Sequence, residues 1–413
     1  MTLPFNNSDS IVMHIDLNSC FASCEQQANP LIRHKPVAVA AYVSPGGCIL
    51  ASSYEAKAFG VKTGTRVFEG RALCPTLIVK EPDPPLYRYI SQKMMALFRE
   101  YSPDCVQKSV DEAVLDFFGV SNAGATSYVA RLVSGQKLHN VGYEIKERIK
   151  SEIGDYLIVN VGIGPNRFLA KTAASWHKPD GLDEINHLNL EEAFSQFKLR
   201  DLCGINFRLE ERLNLVNVFT PLDFLHADLI TLRGAFGGIC GYYWYLRLRG
   251  YEIDKVNFPR RSFGQSYALP KATNDEIELS RLLLKLCEKM GRRLRESGLS
   301  AGGIHVACNF DESFFHHGEK VSTNLYSTQS LYKESRRILF STKLLPVRLL
   351  AVSCFDLKPN FPAQQYLFDN LLEERHLSDA LDKINDRYGE FVVAPASMME
   401  MDKKIIDRIA FGK

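Results

Sequence analysis

The chain has 413 residues, room for about three domains at ~150 residues each. With 46% hydrophobic, 11% aromatic and 24% charged residues, it is neither a disordered chain nor a collagen nor a polar tail. The 50 basic and 48 acidic residues leave a net charge of +2, so a polyanion partner is not announced globally and any basic surface must be local.

Met1 to Ser10 lack the basic and apolar regions of a secretory leader, and no apolar run approaches the ~18 residues of a membrane span. The ten cysteines form no CxxC pair, which argues against a zinc ribbon or a thioredoxin-like site. Most of them read as small buried hydrophobes in a reducing compartment. The expectation is a cytoplasmic protein without a membrane partner.

In chain order, Ile11 to Asp16 reads as a strand ending in an acid, Asn18 and Ser19 supply helix-start chemistry, and Phe21 to Gln27 continues as a helix. Pro36 to Ala41 and Ile49 to Ser52 are strand candidates around a turn at Gly46-Gly47, and Tyr54 to Phe59 reads helical. Past the prolines at 82, 84 and 85, Tyr87 to Tyr101 carries apolar residues at helical spacing. Val106 to Phe118 is a hairpin or strand with Asp111-Glu112 near its middle. Val141 to Ile153 is an amphipathic helix and Tyr156 to Val161 a strand. Gly162-Ile163-Gly164-Pro165 then turns into a helix, with Pro165 in its first turn, running to about His177. This alternation gives an α/β first half.

Leu188 to Gly250 reads as a compact all-α module, and Tyr251 to Arg261 as a polar, basic linker. Ser262 to Leu357 is an α+β module with helices over Asp275 to Ser297 and Ser327 to Phe340 and strands over Gly303 to Phe310 and Val347 to Phe355. The remaining tail holds one helix, Leu377 to Tyr388, and no obvious core of its own.

Three carboxylates from two adjacent strands, Asp16, Asp111 and Glu112, supply the hard oxygen ligands that divalent metals need for phosphoryl transfer. Strand neighbours point to opposite faces, so Asp111 and Glu112 converge only if a turn or bulge redirects one of them. Around these acids stand five motifs. They are Asp16-Leu17-Asn18-Ser19-Cys20-Phe21-Ala22-Ser23-Cys24-Glu25, Ala51 to Gly64, Ser109 to Asp116, Gly162 to Lys171 and Lys178-Pro179-Asp180-Gly181. In this order and spacing they resemble the Y-family (translesion) DNA polymerases over about residues 10 to 358, with details that lean to the bacterial UmuC/DinB-like branch. Gly162-x-Gly164 lacks the third glycine of a dinucleotide fold, where Arg167 stands.

The resemblance implies an α/β and α+β right-hand polymerase. Its palm would cover 1–25 and 81–182, its fingers 26–80 and its helical thumb 183–250. A linker at 251–261, an α+β little finger at 262–358 and a tail at 359–413 complete it. It also implies two Mg²⁺ ions on Asp16, Asp111, Glu112 and the Leu17 carbonyl, with Glu112 near the primer 3′-hydroxyl. Asn18 departs from the acid many relatives carry at that position.

Asn18, Ser19, Cys20 and Phe21 lie at a helix start, a ready anion site, and with Tyr54, Lys57 and Lys171 would contact the triphosphate of a dNTP. Lys57 replaces an arginine, keeping charge without a bidentate fork. Phe21 matches the steric gate that crowds a ribose 2′-hydroxyl. Primer–template DNA is expected on Gly204 of a worn helix-hairpin-helix, which has Asn206 where a second glycine is usual. Further DNA contacts are expected on Arg260, Arg261 and Ser262, and on a basic stretch of Arg247, Arg249 and Lys255. Arg292, Arg293 and Arg295 read as a solvated helix face. Gln364, Leu367 and Phe368 resemble a sliding-clamp-binding pentapeptide.

The sequence thus points to a monomeric template-directed DNA polymerase with low fidelity and damage bypass, a need for accessory subunits being open. Two rivals stand beside it: a catalytically silent DNA-binding scaffold of the same fold, and a nucleotidyl cyclase-like palm enzyme.

Overall fold

A computed structural model describes residues 3–118, 138–256, 259–359 and 371–399, with 401 and 405. They fall into two compact units, Met1–Val256 and Asn257–Asp407.

The first unit is organised by β1 (Val12–Leu17), buried along nearly its whole length. A strand covered on both faces reads as an unbroken apolar run, which is what the sequence shows here. The turn after β1 leads into α1 (Cys20–Ala28). A small three-stranded sheet follows, formed by β2 (Val37–Ala40), β3 (Ile49–Ser52) and β4 (Ile78–Lys80) with β2 in the middle. Between its strands lie α2 (Tyr54–Ala58), capped by the Ser53 hydroxyl, and α3 (Val67–Leu73), around a small apolar core of Ala38, Ile49, Val61 and Val67.

The long helix α4 (Pro84–Tyr101) starts at Asp83, whose carboxylate accepts from the Leu86 N–H, with Pro84 in the tolerated first-turn position. Next come β5 (Asp104–Gln107) and β6 (Glu112–Asp116), the hairpin form of the Val106–Phe118 expectation. Then follow α5 (Leu138–Arg148), β7 (Val159–Gly164), α6 (Arg167–Ala173) and β8 (Leu182–Glu184). The main sheet has the order β5-β6-β1-β7-β8, with β1 antiparallel to both neighbours. Phe21, Tyr87, Met94, Phe98, Ile145 and Ile149 fill the core on its helical side with Met13, Ile15 and Leu17 from β1.

The glycines at 162 and 164 do not make the expected turn. They end β7, because α6 lies directly on that strand. A Cβ on Gly162 would stand 2.1 Å from both the Ala170 carbonyl oxygen and the Ala174 nitrogen, so only glycine permits the approach. Pro165 accordingly sits outside the helix. Asn166 is the N-cap, its side chain accepting from the Leu169 N–H at 2.8 Å. The helix stops at Ala173 instead of reaching His177.

The all-α module contains α7 (Leu190–Ser195), α8 (Phe207–Asn214), α9 (Pro221–His226), α10 (Leu229–Phe236) and α11 (Ile239–Leu248). Its core includes Phe194, Leu213, Phe224, Leu232 and Trp244, and within the aromatic run Trp244 and Tyr245 are buried.

The start of the expected linker is not a free tether. Lys255 Nζ lies 2.9 Å from carboxylate oxygens of both Asp104 and Asp116, the Tyr251 carbonyl accepts from Asn166 Nδ2 at 3.0 Å, and Glu252 accepts from the Arg167 N–H at 3.0 Å. Tyr251 to Val256 is therefore sewn to the edge of the main sheet. The basic residues just ahead of it are also spent within the chain, since Arg247 pairs with Asp254 and Arg249 is buried against Tyr245.

The second unit is a four-stranded antiparallel sheet of order β11-β10-β12-β9. Its strands are β9 (Ser262–Thr273), β10 (Leu299–Asn309), β11 (Phe314–Leu325), unmarked in the sequence reading, and β12 (Val347–Pro359). The helices α12 (Glu276–Glu296) and α13 (Thr328–Leu339) share its core with inward residues of period two, Ile304, Val306 and Cys308 against Leu350, Val352 and Cys354. The tail does contribute here. In α14 (Leu371–Tyr388), Asp382 takes Arg295 in a two-pronged pair at 2.5 and 2.9 Å and Asp386 takes Arg292 at 2.7 Å, while Met401 and Ile405 enter the core. Arg292 and Arg295 are thus bound by carboxylates, not solvated. Among the described residues, no helix is long and apolar enough to cross a membrane.

Candidate active site

Asp16 is the penultimate residue of β1. Its backbone partners are Glu112, first residue of β6, on one side and Asn160 of β7 on the other. Asp111 lies in the hairpin loop just ahead of β6, and its carbonyl accepts from the Leu17 N–H at 2.9 Å. The loop is thereby stitched to the end of β1. Because Asp111 is outside the strand, strand alternation does not force it away from Glu112, and this removes the geometric objection raised by the sequence. Ser109 shapes the loop. Its Oγ donates to Asp111 Oδ1 and accepts from the Glu112 N–H at 3.0 Å.

Each carboxylate has a named partner. Glu112 is held by Lys171 Nζ at 2.7 and 2.9 Å, Asp16 by Lys178 Nζ, and Asp111 by Ser109. Burial pushes the Asp16 carboxyl above its usual range, Lys178 opposes that, and the charges of Glu112 and Asp111 add to it. Burial acts upward on Glu112 too, yet the Lys171 bond wins and its pKa falls. Lys171 mirrors this, rising despite burial because of Glu112.

Among the described residues, no three acidic, histidine or cysteine side chains stand together as a ready metal cage, which fits oxygens committed to lysines and a serine. The donor chemistry is otherwise suited to a hard divalent cation, with three carboxylates and the Leu17 carbonyl, all oxygen.

The expected nucleotide contacts sort into two groups. Lys57 Nζ reaches Ser19 Oγ at 2.7 Å and lies over the Tyr54 ring at 4.5 Å. Its pKa is lowered by burial and then by Lys178, while the Tyr54 hydroxyl is pushed up to about 12 by burial and then by Asp16. Lys57, Tyr54 and Ser19 are thus gathered around the Asp16 end of the site. Asn18 is different. It is 2% exposed, its N–H donates to the Ile158 carbonyl at 2.9 Å, and its side chain bonds Asn160. Neither Asn18 nor Ser19 caps α1 through its side chain, and Ser19 has φ 51°.

Cys20 is buried, its thiol raised well above the usual range by a hydrogen bond with Cys24 and then by burial. Phe21 is 5% exposed and stacks on Tyr87 at 4.5 Å and 15°, and the Tyr87 hydroxyl donates to buried Glu25 at 2.8 Å.

A profile of the impB/mucB/samB family matches residues 15–175, and one of that family's C-terminal domain matches residues 260–367. DNA polymerase IV of Pelotomaculum thermopropionicum is 33% identical over 395 residues, covering 93% of this chain and 94% of its own. DNA polymerase IV of Moorella thermoacetica is 32% identical, with 94% and 96% covered. A solved Y-family DNA polymerase chimera, Dbh-Dpo4(243-245)-Dbh, superposes with a TM-score of 0.71 at 25% identity, covering 84% of this chain and 99% of that one. This chain is a Y-family DNA polymerase.

Its fold is that family's right hand of palm, fingers, thumb and little finger, and the family uses divalent metal. In the polymerase's helical module, Gly204 has φ +95° and a Cβ there would meet the Trp244 ring at 3.2 Å. The departure at Asn206 has a local reason, since its side chain caps α8 through the Leu209 N–H at 3.0 Å. Arg260, Arg261 and Ser262 are exposed at the start of the second unit, with Arg260 over the Phe263 ring at 4.7 Å. Gln364, Leu367 and Phe368 lie outside the described residues.

Two residues at the polymerase's site escaped the sequence reading. Lys178 belongs to a motif that was recognised, but nothing in its spacing says that the loop turns back onto Asp16. His14 could have been found, because it lies two residues before Asp16 and shares its strand parity. Its Nε2 stands 3.9 Å from Glu112 Oε2, neither ring nitrogen has a hydrogen-bond partner among the described residues, and burial lowers its pKa from 6.5 to about 3.

His14 is therefore neutral in the fold, and the sign of its pH effect follows. Between pH 6.5 and about 3 the unfolded state holds one proton more than the folded state. Stability contributed by the neutral ring is complete above 6.5 and falls as pH drops, by at most ~1.4 kcal/mol per unit. His14→Phe should lose this component. In urea unfolding of both proteins from pH 7.5 to 4.5, the difference between their free energies should be constant above 7 and shift below 6.5. A constant difference throughout would mean that His14 titrates alike in the folded and unfolded states.

Proposed function

We propose that this polymerase extends a primer on a template strand through the site at the end of β1. The primer 3′-hydroxyl gives up its proton to water, its oxygen forms a bond to the α-phosphorus of a dNTP, the bond from that phosphorus to the bridging oxygen breaks, and pyrophosphate leaves. The observation that carries this reading is the pairing of Asp16 with Glu112 across adjacent strands. Asp111 is stitched beside them, and lysines face Asp16 and Glu112.

Asp16, Asp111, Glu112 and the Leu17 carbonyl would hold two Mg²⁺ ions, which when bound offset the triphosphate charge and stabilise the attacking and leaving oxygens. Glu112 lies toward the primer 3′-hydroxyl. Lys57, Lys171 and Lys178 meet phosphate oxygens as point charges, joined by the Tyr54 hydroxyl and the amides of Ser19, Cys20 and Phe21 at the start of α1. Asn18 serves the turn, since its N–H is already bonded. Phe21 closes the space beside the sugar, with Tyr87 behind it.

Primer–template lies along Gly204, Arg260, Arg261 and Ser262. The palm takes 1–25 and 81–182, the fingers 26–80, the thumb 183–250, the linker 251–261 and the little finger 262–358. Low fidelity and damage bypass belong to this reading, as do a monomeric state and a sliding-clamp partner at Gln364, Leu367 and Phe368. Accessory subunits are a further partner class. Ten free thiols suit a reducing cytoplasm. A silent scaffold would have no use for lysines held against two of the three acids.

Asp111→Ala should lower primer extension with Mg²⁺ by ~10³-fold or more, the several kcal/mol of a lost metal ligand. Near-wild-type extension by the variant would remove the assignment, and loss accompanied by lost DNA binding would point to misfolding. Phe21→Ala should raise ribonucleotide use relative to deoxynucleotide use by roughly 10-fold or more. Unchanged sugar selectivity in single-nucleotide insertion would show that the ring is only core. Joint Leu367→Ala and Phe368→Ala should abolish binding to a bacterial sliding clamp while sparing distributive synthesis, and retained clamp affinity would end that part of the reading.

A further inference from the structure

Lys178 is carried on a loop, and the loop is held from behind by one fully buried amide. Asn160 lies on β7 directly across from Asp16 and is 0% exposed. Its Oδ1 accepts from Asn18 Nδ2 at 2.7 Å and its Nδ2 donates to the His177 carbonyl at 3.1 Å. Asn18 belongs to the turn that follows Asp16, and His177 immediately precedes Lys178. One side chain therefore ties the turn after the first catalytic carboxylate to the loop whose lysine touches that carboxylate.

The loop folds tightly against this amide. A Cβ on Gly181 would stand 2.3 Å from the His177 oxygen and 2.8 Å from Asn160 Nδ2. On its far side Lys146, 7% exposed, donates to the Asp180 and Gly181 carbonyls and pairs with the Asp180 carboxylate at 2.9 Å. The orientation of the two amides is fixed by their neighbours. Asn160 must present its NH₂ to a carbonyl, so its oxygen faces Asn18, and Asn18 must present its NH₂ in return.

We propose that Asn160 is a positioning residue for catalysis. Through the His177 carbonyl it fixes the Lys178 ammonium, and so the phosphate end of the incoming dNTP. The inference rests on the reading above that Lys178 meets the triphosphate. A flexible lysine on an untethered loop would still supply charge, but it would have to be ordered each time a nucleotide bound. Asn18 takes part in the same relay. A carboxylate at position 18 only accepts, so it would turn the Asn160 amide round and take its donor from His177.

The test is steady-state single-nucleotide insertion on a primer–template, with Asn160→Ala, Lys178→Ala and the double variant. Primer–template affinity and thermal midpoint are measured alongside. Asn160→Ala should raise the KM for dNTP and the inhibition constant of pyrophosphate by about 10-fold, with primer–template affinity unchanged. In the Lys178→Ala background the same change should alter KM by less than about 2-fold, because it acts through that lysine.

An equal multiple in both backgrounds would reduce Asn160 to a structural residue and overturn the proposal. Lys178→Ala with an unaltered KM would overturn the parent reading and the inference with it. Should Asn160→Ala fail to fold, Asn18→Asp decides. A raised KM that vanishes in the Lys178→Ala background supports the relay, and a wild-type KM refutes it.

Discussion

Three carboxylates drawn to one end of a sheet repel one another, and they are half-buried, so water screens them less than it would on an open surface. Much of the first unit is intelligible as the means of holding that charge. Lysines from two different segments close on two of the three acids, one by a bond to each oxygen of Glu112 and one on Asp16. The third, Asp111, leans on a serine hydroxyl within its own loop. His14, packed beneath Glu112, adds no further charge because burial keeps it neutral. The two lysines offset part of that charge: Lys171 lowers the pKa of Glu112 against the effect of burial, while burial and the neighbouring acids keep that of Asp16 raised despite Lys178.

The lysines reach the acids only because the backbone behind them is closely packed. Lys171 stands near the end of α6, a helix of seven residues too short to persist by itself. It persists because Asn166 caps it and because Gly162 lets it lie directly on β7. With any larger residue at 162 the helix would be displaced outward and Lys171 with it. The glycine pair is therefore a packing device with a consequence at the end of the sheet that carries the three acids.

This is also where the sequence was legible and where it was not. An unbroken apolar run placed β1, apolar residues at helical spacing placed α4, and the helix and strand candidates of the second unit fell on α12 and β12, closely enough to recognise the order of elements. The acids were found because strand ends and motif spacing are local properties. Local patterns do not report what lies across from a residue. The parity conflict between Asp111 and Glu112 dissolves once the hairpin puts Asp111 in its loop. The basic stretch after Gly241 looked like a phosphate track, but Arg247 and Lys255 find carboxylates and Arg249 is buried. Two arginines of α12, Arg292 and Arg295, find the acids of α14, some 90 residues later in the chain. Charge counts along a sequence cannot distinguish a surface for DNA from cations already neutralised by their own fold.

In the role proposed for Phe21, core residue and specificity residue need not be alternatives. An aromatic ring can discriminate between sugars only if it does not yield when an extra hydroxyl presses on it. A solvent-exposed ring yields at little cost by changing rotamer within nanoseconds. Phe21 is 5% exposed and stacked on Tyr87, which is itself hydrogen-bonded to buried Glu25. To retreat, the ring would have to displace a packed neighbour and break the bond that anchors it, a cost of the kind that overpacked cores incur, ~1–3 kcal/mol. The stiffness that sugar selection demands is thus supplied by the same packing that holds α1 and α4 together, which is why a gate at this position has to be part of the core.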